Sequence, residues 1–299
     1  MIANELTHRR NLPAIAAIAA TVLWGVGNVL AAASSIPGPQ LAFWRTLCGA
    51  TVYQAVFHAR GGRMSVATFR AAALGGFAFG ASASLFFTAL KSTTVASASV
   101  ISALQPVMLL PVSAMLYGER TSGRRLGLVL VTIGGTVLVV LGSSSSGEWS
   151  LGGDVLALLG TIVGCLYFVG TKSARETLDT LEYQAAALVV AAFTAVPGAV
   201  LTGEGFIVPS GGQWFWPLIM TAVPGTGHLL MSWAQRSLTV SFTATVALGV
   251  VVVSSLGAAL FFDQPLSALQ LMGMAVVLVS LGFFVRNATE RLDPIGEEL

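Results

Sequence analysis

The chain has 299 residues, 55% hydrophobic and only 9% charged, with a mean hydropathy of +0.82. An ordinary soluble domain carries roughly 25% charged residues, so a soluble enzyme is excluded, and so is a disordered chain, which needs low hydrophobicity and high charge. The net charge of +2, with basic residues scattered rather than clustered, excludes a nucleic-acid partner.

What remains is an integral membrane protein whose partners are the lipid bilayer and a small molecule. About 20 apolar residues cross the ~30 Å hydrocarbon core as a helix. Runs of that kind fall at 13–33, 37–58, 69–90, 94–117, 123–141, 152–171, 182–202, 214–235, 239–262 and 266–285. The first run follows His8-Arg9-Arg10 and ends in Ala31-Ala32-Ala33, which imitates a signal-peptide cleavage site. A signal core spans only about 7–15 residues, so this run is expected to stay as a span. Breaks such as Lys91-Ser92-Thr93 and Asp263-Gln264-Pro265 are short, which makes neighbouring helices antiparallel. The alternation of barrel strands is absent. Cys48 and Cys165 lie inside apolar runs and read as small buried hydrophobes.

Lysine and arginine set the orientation. With the N-terminus in the cytoplasm, thirteen basic residues, including Arg60, Arg63, Arg124, Arg125, Lys172, Arg175, Arg236 and Arg286, fall on the cytoplasmic side. Only Lys91 falls outside, and Arg45 lies within a span. Both termini are therefore expected in the cytoplasm, with the chain in the inner (plasma) membrane.

A shift of 145 positions reveals an internal repeat. Gly80 meets Gly225, Leu85 meets Leu230, and Lys91-Ser92-x-Thr94-Val95 meets Arg236-Ser237-x-Thr239-Val240. With one residue of slippage, Glu119 meets Asp263. The unit is five spans, 1–146 and then 147–299 with the C-terminal tail. Five is odd, so the second unit must be inverted, as in many secondary transporters that bind substrate between the halves. The expected fold is all-α: ten transmembrane helices as two inverted five-helix repeats around a central cavity. A duplicated membrane enzyme or scaffold is the bland alternative.

Trp24-Gly25 with Asn28, Arg45, the stretch from Ala96 through Gln105-Pro106 to Gly118-Glu119-Arg120, and the Gly127, Gly134, Gly135 spacing form one set of motifs. Asp263-Gln264-Pro265 and Gly273 take the matching places in the second half. Together they resemble the ten-helix EamA-type exporters of the drug/metabolite transporter superfamily, over nearly the whole chain. Phe262-Asp263 stands where Gly-Glu is usual in that family, and Ser280 where Gly often stands. The resemblance implies a basket lined by spans 1, 3, 4, 6, 8 and 9 that works by alternating access. Among its branches the chain looks most like bacterial exporters of aromatic amino acids.

The residues themselves narrow the chemistry. All thirteen carboxylates, Glu119, Glu148, Asp154, Glu204 and Asp263 among them, lie at span ends, in loops or in the tails. Coupling through an intramembrane carboxylate is thus not expected, and no metal or cofactor is called for. The lack of clustered basic residues at mid-membrane disfavours phosphorylated substrates. Expected cavity residues are Trp24 and Asn28 one turn apart on span 1, Phe79, Ser82 and Phe86 on span 3, and Ile101, Gln105 and Met108 on span 4. Tyr167 and Thr171 on span 6, and His228 and Met231 on span 8, complete the set. Pro106 and Pro224 are candidate hinges. Arg45 is expected to be a structural intramembrane charge, and spans 5 and 10 to face lipid or a second copy of the chain. Such a lining suits an amphipathic substrate with an apolar side chain; a broader drug or organic-cation exporter would use the same basket. A Ser82–His228 hydrolytic dyad is the rival from another class, and it would need the two in hydrogen-bond contact.

Overall fold

The computed structural model describes residues 2–93, 98, 101–119, 122–142, 150–201, 205–261 and 265–289, with backbone alone at 2–10, 32, 90, 91 and 287–289. Ala96, Arg120, Glu148, Glu204, Asp263 and Gln264 lie outside the described residues. The helices are α1 (Ile2–Ala33), α2 (Gly38–Ala59), α3 (Val66–Ser92), α4 (Gln105–Tyr117), α5 (Gly123–Gly142) and α6 (Leu151–Ala174). After them come α7 (Thr180–Val200), a 3-10 turn (Gly211–Trp214), α8 (Phe215–Gln235), α9 (Val240–Ala247), α10 (Val250–Phe261) and α11 (Ala268–Thr289). No strand occurs among the described residues.

Among the described residues, seven segments are long and apolar enough to cross a membrane: Asn11–Ala31, Val66–Ala89, Gly123–Gly142, Leu151–Ala174, Thr180–Val200, Val240–Phe261 and Ala268–Arg286. The sequence runs numbered ten. The difference has a chemical reason. α2 and α8 have the length, at 22 and 21 residues, but carry Gln40, Arg45 and Gln54, or His228 and Gln235. α4 is apolar but only 13 residues long.

Helix starts follow their side chains. Ser65, Ser150, Asp179 and Thr239 each accept a bond from the backbone N–H three residues on, satisfying donors that the first turn leaves unpaired. α4 ends at Gly118, whose φ of 64° is the left-handed cap that glycine adopts without strain.

Hydrogen bonds between helix ends define two faces. On the basic face, Thr68 near the start of α3 donates to Glu182 of α7 (2.8 Å), and Lys172 near the end of α6 donates to the carbonyls of Gln235 (2.8 Å) and Leu238 (2.9 Å). On the far face, Thr93 after α3 donates to Asp154 at the start of α6 (2.8 Å), and Ser267 before α11 donates to Gly142 at the end of α5 (2.8 Å). α3 therefore ends beside the start of α6, whereas α8 ends beside its finish. The two segments matched by the 145-residue shift run in opposite directions.

Small residues bring the backbones together, the way helices pack where lipid supplies no hydrophobic drive. α3 lies so close to α7 that a Cβ on Gly76 or Gly80 would fall 2.5 Å from the Ala187 carbonyl oxygen or 2.4 Å from that of Ala191. α5 meets α11 through Gly135 and Gly273, and Thr132 and Ser280 hydroxyls pair there at 2.9 Å. Gly135 and Gly142 of α5 are thus covered within the chain, whereas Gly127 and Gly134 face open space. Leu130, Val131, Leu278, Val279 and Phe283 form the exposed apolar sides of this pair.

The fourth and ninth runs are interrupted at equivalent places. Leu104 N–H bonds to the Ile101 carbonyl (3.1 Å) just before α4, and Gly249 N–H bonds to Val246 (3.0 Å) between α9 and α10. These positions are related by the same 145-residue shift. Pro106, expected to bend its span, sits in the first turn of α4 just past the break. The second break has no proline, so proline is not what both share. α8 runs through Pro224 without interruption, and Pro224 packs where a Cβ on Gly27 would lie only 2.7 Å away.

Candidate functional site

A cavity of about 270 Å³ lies where the two halves meet. It is bounded by α1 (Trp24, Gly27, Asn28, Ala31), α2 (Arg45), α3 (Phe79, Ser82, Ala83, Phe86, Phe87), Ser102 with Gln105 of α4, α6 (Gly160, Thr161, Gly164, Tyr167, Phe168), α8 (Met220, Pro224, His228) and Val250 of α10. Gln105 and Val250 occupy equivalent positions immediately after the two helix breaks. Each break therefore ends at the cavity wall, where irregular backbone within a membrane is tolerated.

The floor is aromatic. The His228 ring lies 4.8 Å from Trp24 and 4.5 Å from Phe79, centroid to centroid, and its Nδ1 is hydrogen-bonded to the Tyr167 hydroxyl at 2.9 Å. The Arg45 guanidinium stands over the Phe79 ring at 5.0 Å. Asn28 Nδ2 donates to Ser254 Oγ (3.1 Å), which ties α1 to α10 and leaves its carbonyl oxygen for other partners. Space comes from Gly160 and Gly164, one turn apart on α6. A Cβ at Gly164 would lie 2.9 Å from Gln105 Nε2. Among the described residues, no carboxylate lines this cavity.

Beyond the floor, the path to the basic face is shut. Phe168, Leu109, Val240 and Ala244 form a buried cluster with Met108, Val112 and Tyr117 against it. Below that, Glu119 accepts from Val240 N–H (2.8 Å), Ser241 N–H (3.3 Å) and Ser241 Oγ (2.9 Å) at the start of α9. The Tyr117 hydroxyl donates to the Val169 carbonyl (2.9 Å) and sits 2.8 Å from Ser173 Oγ. Arg175 is buried and donates to the carbonyls of Ser232 (3.2 Å) and Leu178. These bonds tie α4, α6, α8 and α9 together on the basic side of the cavity.

Of the residues singled out from sequence, Trp24, Asn28, Phe79, Ser82, Phe86, Gln105, Tyr167, Pro224 and His228 border the cavity. Four others do not. Ile101 packs on Ala89, Ala98 and Ala157, and Met108 belongs to the plug beneath the floor. Met231 is fully buried among Ala17, Ala20 and Phe242. Thr171 is buried with its hydroxyl 2.7 Å from that of Tyr183, pinning α6 to α7. Arg45, expected to be a structural charge, also borders the cavity. Ser82 donates to its own helix at Phe79 O (3.2 Å), and no bond links it to His228. The hydrolytic dyad is not assembled. Sequence reasoning missed Gly160-x-x-x-Gly164, whose small-residue spacing was the available signal.

The model of the EamA-like transporter family matches residues 11–141 and again 151–286. The chain belongs to the EamA-like transporter family. EamA-like proteins are membrane transporters, not enzymes, and the two matches show the domain present twice. A solved crystal structure shares the fold with a TM-score of 0.75 at 19% identity, covering 96% of this chain and 99% of its own. No curated protein matches.

Proposed function

We propose that this EamA-like transporter is an inner-membrane exporter of small amphipathic metabolites, aromatic or other hydrophobic amino acids foremost, working by alternating access. The observation that carries this reading is the aromatic cavity without carboxylates between the two halves. In it, ten spans form two inverted five-span units, residues 1–146 and 147–299, with α9 and α10 together as the ninth span. The basic face is cytoplasmic, by the bias of thirteen basic residues to one. The bonds from Glu119, Tyr117 and Lys172 are then the closed inner gate, and the cavity faces outward. Without a carboxylate to relay protons, substrate moves down its own gradient. The exposed sides of α5 and α11 face lipid and leave room for a second copy of the chain.

A broader organic-cation exporter would draw on the same aromatic faces, but the Arg45 charge beside Phe79 opposes it. Trp24→Ala and His228→Ala should each cut phenylalanine flux in liposomes by roughly tenfold, the scale of one good aromatic contact. Both variants should still elute as folded, monodisperse protein, because each truncated side chain borders an existing void. Normal flux in both would place the substrate path elsewhere.

A further inference from the structure

We propose that Arg45 is the anion anchor of the cavity, holding the carboxylate of the transported molecule. The inference rests on the amino-acid reading above and assigns that substrate's charged end to one residue. Among the described residues that border the cavity, Arg45 is the one guanidinium and none is acidic. Among the described residues its side chain forms no ion pair or hydrogen bond, and its Nε is buried without a partner. The Phe79 ring lies 5.0 Å from its guanidinium carbon, and an aromatic face offsets only part of a buried cation's lost hydration.

A second void, of about 20 Å³, touches Arg45 from the side of Thr46, Gln184 and Thr221. It has room for one water. A water there would satisfy a donor but could not neutralise the charge. Trp24 stands in the same cavity wall, but its indole N–H edge is buried against Gly227 of α8 and is not open to the void. The site thus offers a fixed positive charge with no counter-charge among the described residues. A carboxylate supplies it, and a guanidinium takes it through two parallel bonds.

The rest of the ligand follows. An apolar ring has Phe86, Phe87 and Trp24 to lie against, and an ammonium has the side-chain carbonyls of Asn28 and Gln105. A ligand carrying only the ammonium would meet the Arg45 charge with nothing to compensate it.

The test uses the full chain in liposomes and three ligands of one shape: phenylalanine, 3-phenylpropionate (carboxylate alone) and phenethylamine (ammonium alone). Inhibition of labelled phenylalanine counterflow is read for the unmodified protein, Arg45→Lys and Arg45→Gln. The unmodified protein should prefer phenylpropionate to phenethylamine. Arg45→Gln should weaken both carboxylate ligands by roughly 10- to 100-fold, the scale of a charge-assisted bond, and leave phenethylamine unchanged or improved. Arg45→Lys should recover part of the loss. Should Arg45→Gln fail to fold, the ligand series on the unmodified protein decides alone: preference for phenethylamine overturns the anchor. Phenylalanine counterflow undiminished in Arg45→Gln also overturns it while the amino-acid reading stands. Should phenylalanine not be carried, direct binding of phenylpropionate that is lost in Arg45→Gln would keep the anchor and remove the amino-acid reading.

Discussion

Gly80→Leu is expected to leave almost no folded protein in the membrane, whereas Gly134→Leu should express and melt as the parent does. Both glycines lie in the middle of apolar helices, and sequence alone treats them alike. Their surroundings differ. A Cβ at Gly80 would fall 2.4 Å from the Ala191 carbonyl oxygen and 3.0 Å from its Cα, both backbone atoms that cannot swing away. A Cβ at Gly134 meets nothing within 4 Å. Leucine at Gly80 must push α3 off α7 along their whole contact, so the cost should exceed the usual 1–3 kcal/mol of overpacking. Yield of monodisperse protein and its thermal midpoint check both variants. Equal behaviour of the two would mean that α3 and α7 are not in contact at Gly80.

Glu119→Ala is expected to open the basic face. Its carboxylate takes three bonds from the first residues of α9, where the unpaired N–H groups of a helix start favour negative charge. Bonds to a charged group contribute about 1.5–3 kcal/mol each. A net loss of even ~2 kcal/mol shifts a two-state equilibrium about 30-fold. Spin labels at positions 122 and 176, after Cys48 and Cys165 are replaced by alanine, sit just before α5 and just after α6. Their separation should lengthen in Glu119→Ala relative to the parent, and Glu119→Gln should lie between. An unchanged distance distribution would show that Glu119 holds no gate.

Much of the frame was legible in the sequence because a bilayer imposes it. The 145-residue repeat placed the ends of α3 and α8 on opposite faces, and the helix ends meet α6 that way. Trp24 and Asn28 were legible because an amide on an apolar helix must find a polar partner, and Asn28 finds Ser254. Thr171 and Met231 satisfied the same helical spacing but belong to contacts whose other side the spacing cannot reveal: Tyr183 for Thr171, and α1 with Phe242 for Met231. Ser280, a departure from the family pattern, is explained by its bond to Thr132, which needs coordinates to see. The surroundings of Arg45 were hidden for a related reason. A lone arginine in a span calls for a counter-charge, and only the three-dimensional arrangement shows its side chain beside an aromatic void with none among the described residues.

The break before α4 shows how a strong local signal can mislead. Pro106 explains a bend well enough to end the search for another cause. The equivalent break before α10 has Gly249 and no proline, and Thr21 of α1 donates to the carbonyl of Val246 there (3.4 Å). Two different sequences interrupt the helix where it meets the cavity, so the position outweighs the residue.

The central claim is that substrate passes through the void between the two halves. Counterflow of labelled phenylalanine into liposomes by the unmodified protein and by Gly164→Phe, which fills the void from α6, tests it most directly. Saturable uptake by the former, indifferent to an imposed pH gradient and lost in a folded Gly164→Phe, is the predicted result. Uptake by Gly164→Phe at the unmodified rate would contradict it.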